Sequence, residues 1–300
     1  MGRSLRQIVA TFLVLCVASA STAQETPRVV TVNQALSLLS ERLLDADGEV
    51  VFPVPEGVDP SFWRPSIADI SMIQSSDLIV LNGAGFASWI DRVSLPRSRL
   101  VNSSAGLKDE YITTESITHS HGEGGEHSHE GVASYLWLDP SLAIGQAEAV
   151  ARALGERGFV PPDALEARLD ALRADLMTLD EETKRALERA QDVPMIATHP
   201  RYQYFARRFG LSIASLEWDA GAMPTQDELA VLDATVRENG ARILIWEAQP
   251  PQAAIAAADA LGLKSVVFDP MANKSDVQSF VQSYRDAVSD LSEAVVGSLN

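Results

Sequence analysis

Between residues 163 and 190, leucines recur at Leu165, Leu169, Leu172, Leu176, Leu179 and Leu187, at intervals of four and three with one beat missed at Thr183. That period sets them along one stripe of a continuous α-helix. Pro161-Pro162 stop whatever precedes it, Asp163 is placed to cap it, and Glu166 completes a capping-box pattern. At about 1.5 Å per residue such a helix is about 42 Å long, the width of a whole lobe. It either stands free as a coiled-coil dimer arm or braces a two-part fold as a rigid strut that limits hinge motion. The strut is the expectation, because of what lies on either side.

Both flanks alternate short β-rich runs with helical patterns, the signature of βαβ units and a parallel sheet. Before the long helix, strands are expected at residues 29–32, 50–54, 78–81 and 100–101, with helices at 34–44 and 66–75. After it, strands are expected at 195–197, 212–216, 243–246 and 266–268, with helices at 203–209, 226–239 and 251–261. The expected fold is therefore α/β, two βα lobes with mostly parallel sheets joined by one long helix. The first lobe spans 24–160, the linking helix 161–191 and the second lobe 192–300.

Residues 1–23 are set aside as a secretory signal: Arg3 and Arg6 precede an apolar run, and Ser21-Thr22-Ala23 supplies small residues for cleavage. No later stretch approaches the ~18 uninterrupted apolar residues of a spanning helix. An exported, periplasmic chain without stable membrane insertion is expected. The single cysteine, Cys16, lies inside the signal, and Leu15 before it is too bulky for a lipid-attachment site, so the mature chain is expected to hold together without disulfides. With 24 basic against 41 acidic residues the formal charge is −17, which repels phosphate backbones and argues against a nucleic-acid partner.

Four of the five histidines, His119, His121, His127 and His129, fall in one stretch with Glu123, Glu126 and Glu130. It is the centre of a polar, aperiodic insertion at 103–134, expected to be flexible because it buries too little apolar area to order itself. Neutral imidazole and carboxylate suit Zn(II). The fifth, His199, follows the run at 195–197; Glu247 and Asp269 follow two others in the same way. In open parallel sheets the ligand crevice lies at the carboxyl ends of strands, so the three are candidates to converge on one site. Ser61, His199 and Asp269 are also the residue types of a hydrolytic triad. However, no Gly-x-Ser-x-Gly elbow or His-Glu-x-x-His motif occurs, and an enzyme is not expected.

The order of these features resembles the periplasmic zinc- and manganese-binding proteins that serve ABC metal importers, over essentially the whole mature chain. Val54-Pro-Glu-Gly-Val-Asp-Pro60 is similar to the family's Gly-x-Asp-Pro-His segment, and Leu136-Trp-Leu-Asp-Pro140 to its His-x-Trp-x-Asp-Pro motif. Ala197-Thr-His-Pro-Arg-Tyr-Gln-Tyr-Phe205 resembles the segment of the third metal histidine; Trp246-Glu-Ala-Gln249 and Phe268-Asp-Pro-Met271 resemble the late Glu and Asp motifs. An acidic, His-rich loop is typical of the zinc members.

The resemblance implies capture of a metal ion, zinc before Mn(II) or Fe(III), and its delivery to an importer permease with its ATPase subunit, by a monomer. It makes His199 and Asp269 metal ligands and Glu247 a partner that orients His199 or a neighbour. The departures fall on the ligands: Ser61 and Tyr135 stand where the family has histidines. Two protein ligands are too few for a closed zinc site. A loop histidine, most simply His129, could complete the set; Tyr135 could ligate a ferric ion as phenolate; or the cleft has lost tight metal binding. The last case leaves a periplasmic metal buffer or chaperone that uses the loop, or a binding protein for another solute.

Overall fold

The computed structural model describes residues 26–114, 131–274 and 279–299. The signal segment and all four loop histidines lie outside these. The first lobe holds β1 (Arg28–Thr31), α1 (Gln34–Leu44), β2 (Glu49–Val51), α2 (Ile67–Ser75), β3 (Leu78–Leu81) and β4 (Leu100–Asn102). Its sheet is parallel, in the order β2-β1-β3-β4, with Val30 opposite Val51 and Ile79. A small antiparallel pair follows, β5 (Thr113–Thr114) with β6 (Gly131–Val132), then α3 (Pro140–Glu156) and α4 (Pro162–Ala186). The second lobe has β7 (Met195–Ala197), α5 (Gln203–Phe209), β8 (Ile213–Ser215), α6 (Gln226–Asn239), β9 (Ile243–Trp246), α7 (Gln252–Ala260), β10 (Lys264–Val267) and α8 (Phe280–Leu299).

The second sheet, β10-β9-β7-β8, is also parallel and repeats the topology of the first. Its central strand Ile-Leu-Ile-Trp is buried throughout, as expected of a parallel strand covered on both faces. In each sheet the connection reverses direction between the first and third strands, so the switch points are β1/β3 and β7/β9.

The leucine stripe is buried within the chain. Leu165, Leu172, Leu176, Leu179 and Leu187 join the core, Leu169 packs at its margin, and α4 lies against α1, α3 and α8. The missed beat is filled by Thr183, which is buried too. The expected cap is not formed. Pro161 occupies that position with no side-chain hydrogen bond, and Asp163 lies inside the first turn, where its charge faces the positive end of the helix dipole. The α-helix ends at Ala186, and a 3-10 turn at Glu188–Ala190 completes the run.

Two helices go beyond what the alternation of runs predicts. The chain from Pro140 is alanine-rich and helical, capped by Asp139 accepting from the Ser141 amide at 2.9 Å. The C-terminal α8 buries Phe280, Tyr284, Val288, Leu291 and Val295. The insertion at 103–134 is also less irregular than expected at its roots. Ser103 and Ser104 are buried and β5 pairs with β6, because backbone groups leaving the fold still need partners.

One apolar core runs through both lobes, from Val30 and Leu36 through Trp137 and Leu176 to Phe205, Phe268 and Tyr284. Polar bonds reinforce the join. The first amides of α1, which a helix cannot satisfy itself, donate to the other lobe: Gln34 to the Ala272 carbonyl at 3.0 Å and Ala35 to that of Met271 at 2.9 Å. The Trp137 indole donates to the Pro270 carbonyl and the Tyr284 hydroxyl to that of Leu138, both at 2.6 Å. Among the described residues no helix is long and apolar enough to cross a membrane.

Candidate metal site at the cleft

His199 and Glu247 follow β7 and β9, the strands that flank the second lobe's switch point, which is why the fold brings them together. The His199 Nδ1 lies 2.8 Å from the Trp218 carbonyl, which can only accept, so the proton sits on Nδ1 and Nε2 carries the lone pair. Burial, helped by the nearby Arg201 cation, holds the His199 pKa below the usual histidine value. The ring is thus neutral at pH 7, with one nitrogen free to coordinate.

Glu247 lies 3.8 Å from His199 Nδ1, too far to hydrogen-bond it, and its carboxylate is held by Arg201 Nε at 3.4 Å. Asp269 accepts the Met271 amide at 2.7 Å. Burial raises the pKa of both carboxyls, and each also feels other charge: Arg201 opposes the rise at Glu247, and Glu247 adds to it at Asp269.

Across the cleft, Ser61 and Tyr135 come from the first lobe. Asp59 accepts the Ser61 amide at 2.8 Å, fixing the turn that carries it. The segment before Tyr135 is tied down by Asn82, which follows β3 and donates to the Ser134 carbonyl at 2.9 Å. Tyr135 itself packs against Phe86 and Trp137. The Tyr135 and Ser61 hydroxyls are buried neighbours, close enough for the serine to ease ionisation of the tyrosine slightly, but neither reaches full hydrogen-bonding geometry with any described residue. Burial pushes the Tyr135 hydroxyl well above the usual tyrosine value, so with no ion beside it the side chain is a neutral phenol.

The group that ties the two sides together was not singled out by the sequence. Arg201, two residues after His199, is buried, with its guanidinium 4.7 Å from the centre of the Tyr135 ring. Its Nη2 donates to Asp59 of the first lobe at 2.6 Å, and its Nε faces Glu247 of the second. Burial works against this charge, and the acidic groups around it more than offset that. The available signal was a basic residue inside an apolar, aromatic motif, His-Pro-Arg-Tyr. Among the described residues, no three His, Cys, Asp or Glu side chains are grouped so as to hold a metal ion.

Two parallel-sheet lobes, braced by one helix and facing each other across polar strand ends, define a solute-binding protein. The chain belongs to the ZnuA family, the periplasmic component A of zinc-uptake complexes, whose family profile matches residues 29–294. It is 25% identical over 237 residues to the high-affinity zinc uptake system protein ZnuA of Bacillus subtilis (strain 168), covering 76% of this chain and 73% of that one. Against the zinc-binding protein AdcA of Streptococcus pyogenes it is 23% identical over 259 residues, covering 81% of this chain and half of AdcA's length. The fold is shared with FpvC of Pseudomonas aeruginosa, solved in complex with Mn2+, at a TM-score of 0.74 and 19% identity, over 91% of this chain and 100% of that one.

Proposed function

We propose that this protein captures a transition-metal ion outside the cytoplasm, zinc before manganese or ferric iron, and delivers it to the permease of an ATP-driven importer. Family membership along most of the chain and the zinc-binding names of its relatives support the class of cargo. Within the chain, the reading rests on His199: a neutral imidazole at a switch point, its tautomer fixed by Trp218, with Nε2 unprotonated. Metal-ligating histidines are held in this way, one nitrogen on a carbonyl and the other on the ion. Asp269 is the second cleft ligand in this proposal, Glu247 its charged support, and a histidine of the 119–129 stretch supplies what Ser61 and Tyr135 cannot.

Zinc titration of the mature chain, of His199→Ala and of a deletion of residues 119–129 tests this. Both variants should lose tight binding to a comparable degree. Tight zinc retained by His199→Ala but lost on loop deletion would instead favour a periplasmic buffer that works through the loop.

A further inference from the structure

The cleft already contains a cation. Arg201 lies against Tyr135, reaches Asp59 at 2.6 Å on the first lobe and faces Glu247 at 3.4 Å on the second, with His199 a further 3.8 Å beyond that carboxylate. The first-lobe side of the cleft offers two buried hydroxyls, Ser61 and Tyr135, which reach full hydrogen-bonding geometry with no described residue. Without its arginine the same region would hold Asp59, Glu247 and Asp269 near a neutral histidine, a negative field that attracts a divalent ion even though the side chains are not grouped as a ligand set. With it, two of those three carboxylates, Asp59 and Glu247, are already paired with the protein's own side chain.

We infer that Arg201 sets the affinity threshold of the cleft: a tethered cation that occupies the charge site in the metal-free protein and must be displaced before a metal ion is held there. This rests on the proposed metal-capture function and assigns a cost to it. A divalent ion placed beside an unmoved guanidinium meets a like charge in a poorly solvated site, where repulsion is weakly screened. An ion that displaces Arg201 must supply in bonds to His199 and the carboxylates what the Asp59 and Glu247 pairs gave up. The cost is the same for every ion, so it leaves the ratio of affinities unchanged. It does, however, lift weak binders out of the range where they are occupied. Zinc binds imidazole strongly and clears such a threshold; Mn(II), lower in the affinity order, does not.

The test is metal titration of the mature chain, wild type against Arg201→Gln, with zinc and separately with manganese. The variant should bind zinc at least about tenfold more tightly and should take up manganese that the wild type ignores. Both gains should vanish in Arg201→Gln/His199→Ala, which locates them in the cleft. If the wild type binds zinc through His199 and Arg201→Gln binds it equally or more weakly, the role assigned to Arg201 is wrong while the metal-capture reading stands. If neither protein binds zinc through His199, the metal reading of the cleft fails, and the role of Arg201 falls with it.

A second measurement needs no variant and so does not depend on one folding. Arg201 Nε–H, buried against Glu247, should exchange slowly with solvent in the metal-free protein and quickly when zinc is bound in the cleft. Protection that persists with zinc bound would overturn the displacement.

Discussion

Arg201 and Asp59 meet across the cleft with Nη2 and Oδ2 2.6 Å apart, joining a loop that follows β7 in one lobe to a loop that follows β2 in the other. The arginine side chain is 9% exposed and the aspartate 32%, so this is a half-sheltered pair rather than a surface one. Asp59 also receives the Ser61 amide, so one carboxylate both shapes its own turn and closes the gap.

Asp59→Asn should therefore destabilise the protein, because it leaves a buried guanidinium with Glu247 as its one remaining acidic partner. Removing one member of a fully buried pair costs about 3–5 kcal/mol, and the partial exposure of Asp59 lowers the expectation to about 1–3 kcal/mol. Urea unfolding of variant and wild type measures it as a shift in midpoint without a change in slope.

A second ion pair should give the fold an acid-labile component. Asp180 on α4 accepts from Arg208 on α5 through both oxygens, at 2.7 and 2.6 Å, and meets Lys184 at 2.7 Å. Burial pushes the Asp180 pKa up, but the bonds from Arg208 and Lys184 outweigh it and leave the carboxyl below its ordinary value. A group depressed in the folded state stabilises above its unfolded pKa, about 3.9 for aspartate, and loses that contribution as pH falls through the folded value. Asp180→Asn should cost about 1–3 kcal/mol near neutrality, with the gap to wild type closing below about pH 4. Unfolding midpoints across that range would show the two curves converging; parallel curves would contradict the assignment.

The long helix offers two opposite substitutions on one stripe. Leu176 is fully buried, so Leu176→Ala should cost about 2–5 kcal/mol through lost burial and a cavity. Thr183 fills the missed beat in the leucine pattern, and its buried hydroxyl has no hydrogen-bond partner among the described residues. Thr183→Val keeps the shape and removes that burden, so it should stabilise by about 1 kcal/mol. Thermal and urea unfolding of the two variants should move in opposite directions from wild type.

Gly83 follows β3 with φ +81°, and a Cβ there would come within 2.2 Å of Ser104 Oγ and 2.3 Å of Asn102 Oδ1. Ser104 is not free to yield, since its hydroxyl donates to the Asn82 carbonyl at 2.6 Å. Gly83→Ala should cost at least about 1 kcal/mol from the left-handed backbone alone, with the clash adding to it. The same loop holds the segment before Tyr135 through Asn82, so the variant should also perturb Tyr135, readable as a change in near-ultraviolet circular dichroism.

The elements legible in the sequence were those set by local period. The leucine spacing gave the strut, and the apolar runs gave eight strands of the two parallel sheets; α1, α5, α6, β3, β7 and β9 lie at the residues the pattern predicts. Positions after the strands were legible for the same reason, so His199 and Glu247 could be placed at one crevice. What failed were inferences that depend on neighbours: Asp163 looked like a cap until Pro161 took the position, and α8 became visible through the surface it buries.

Sequence alone determined the two-lobed α/β architecture and a histidine at a strand end, because periodicity and strand polarity are properties of adjacent residues. The tertiary structure decided what occupies the cleft. Arg201 reads as one more basic residue until a partner 142 positions away, Asp59, is folded against it. Its charge then changes meaning, because a cation that water would screen on the surface becomes, once buried between two carboxylates, a fixed charge that joins the two lobes.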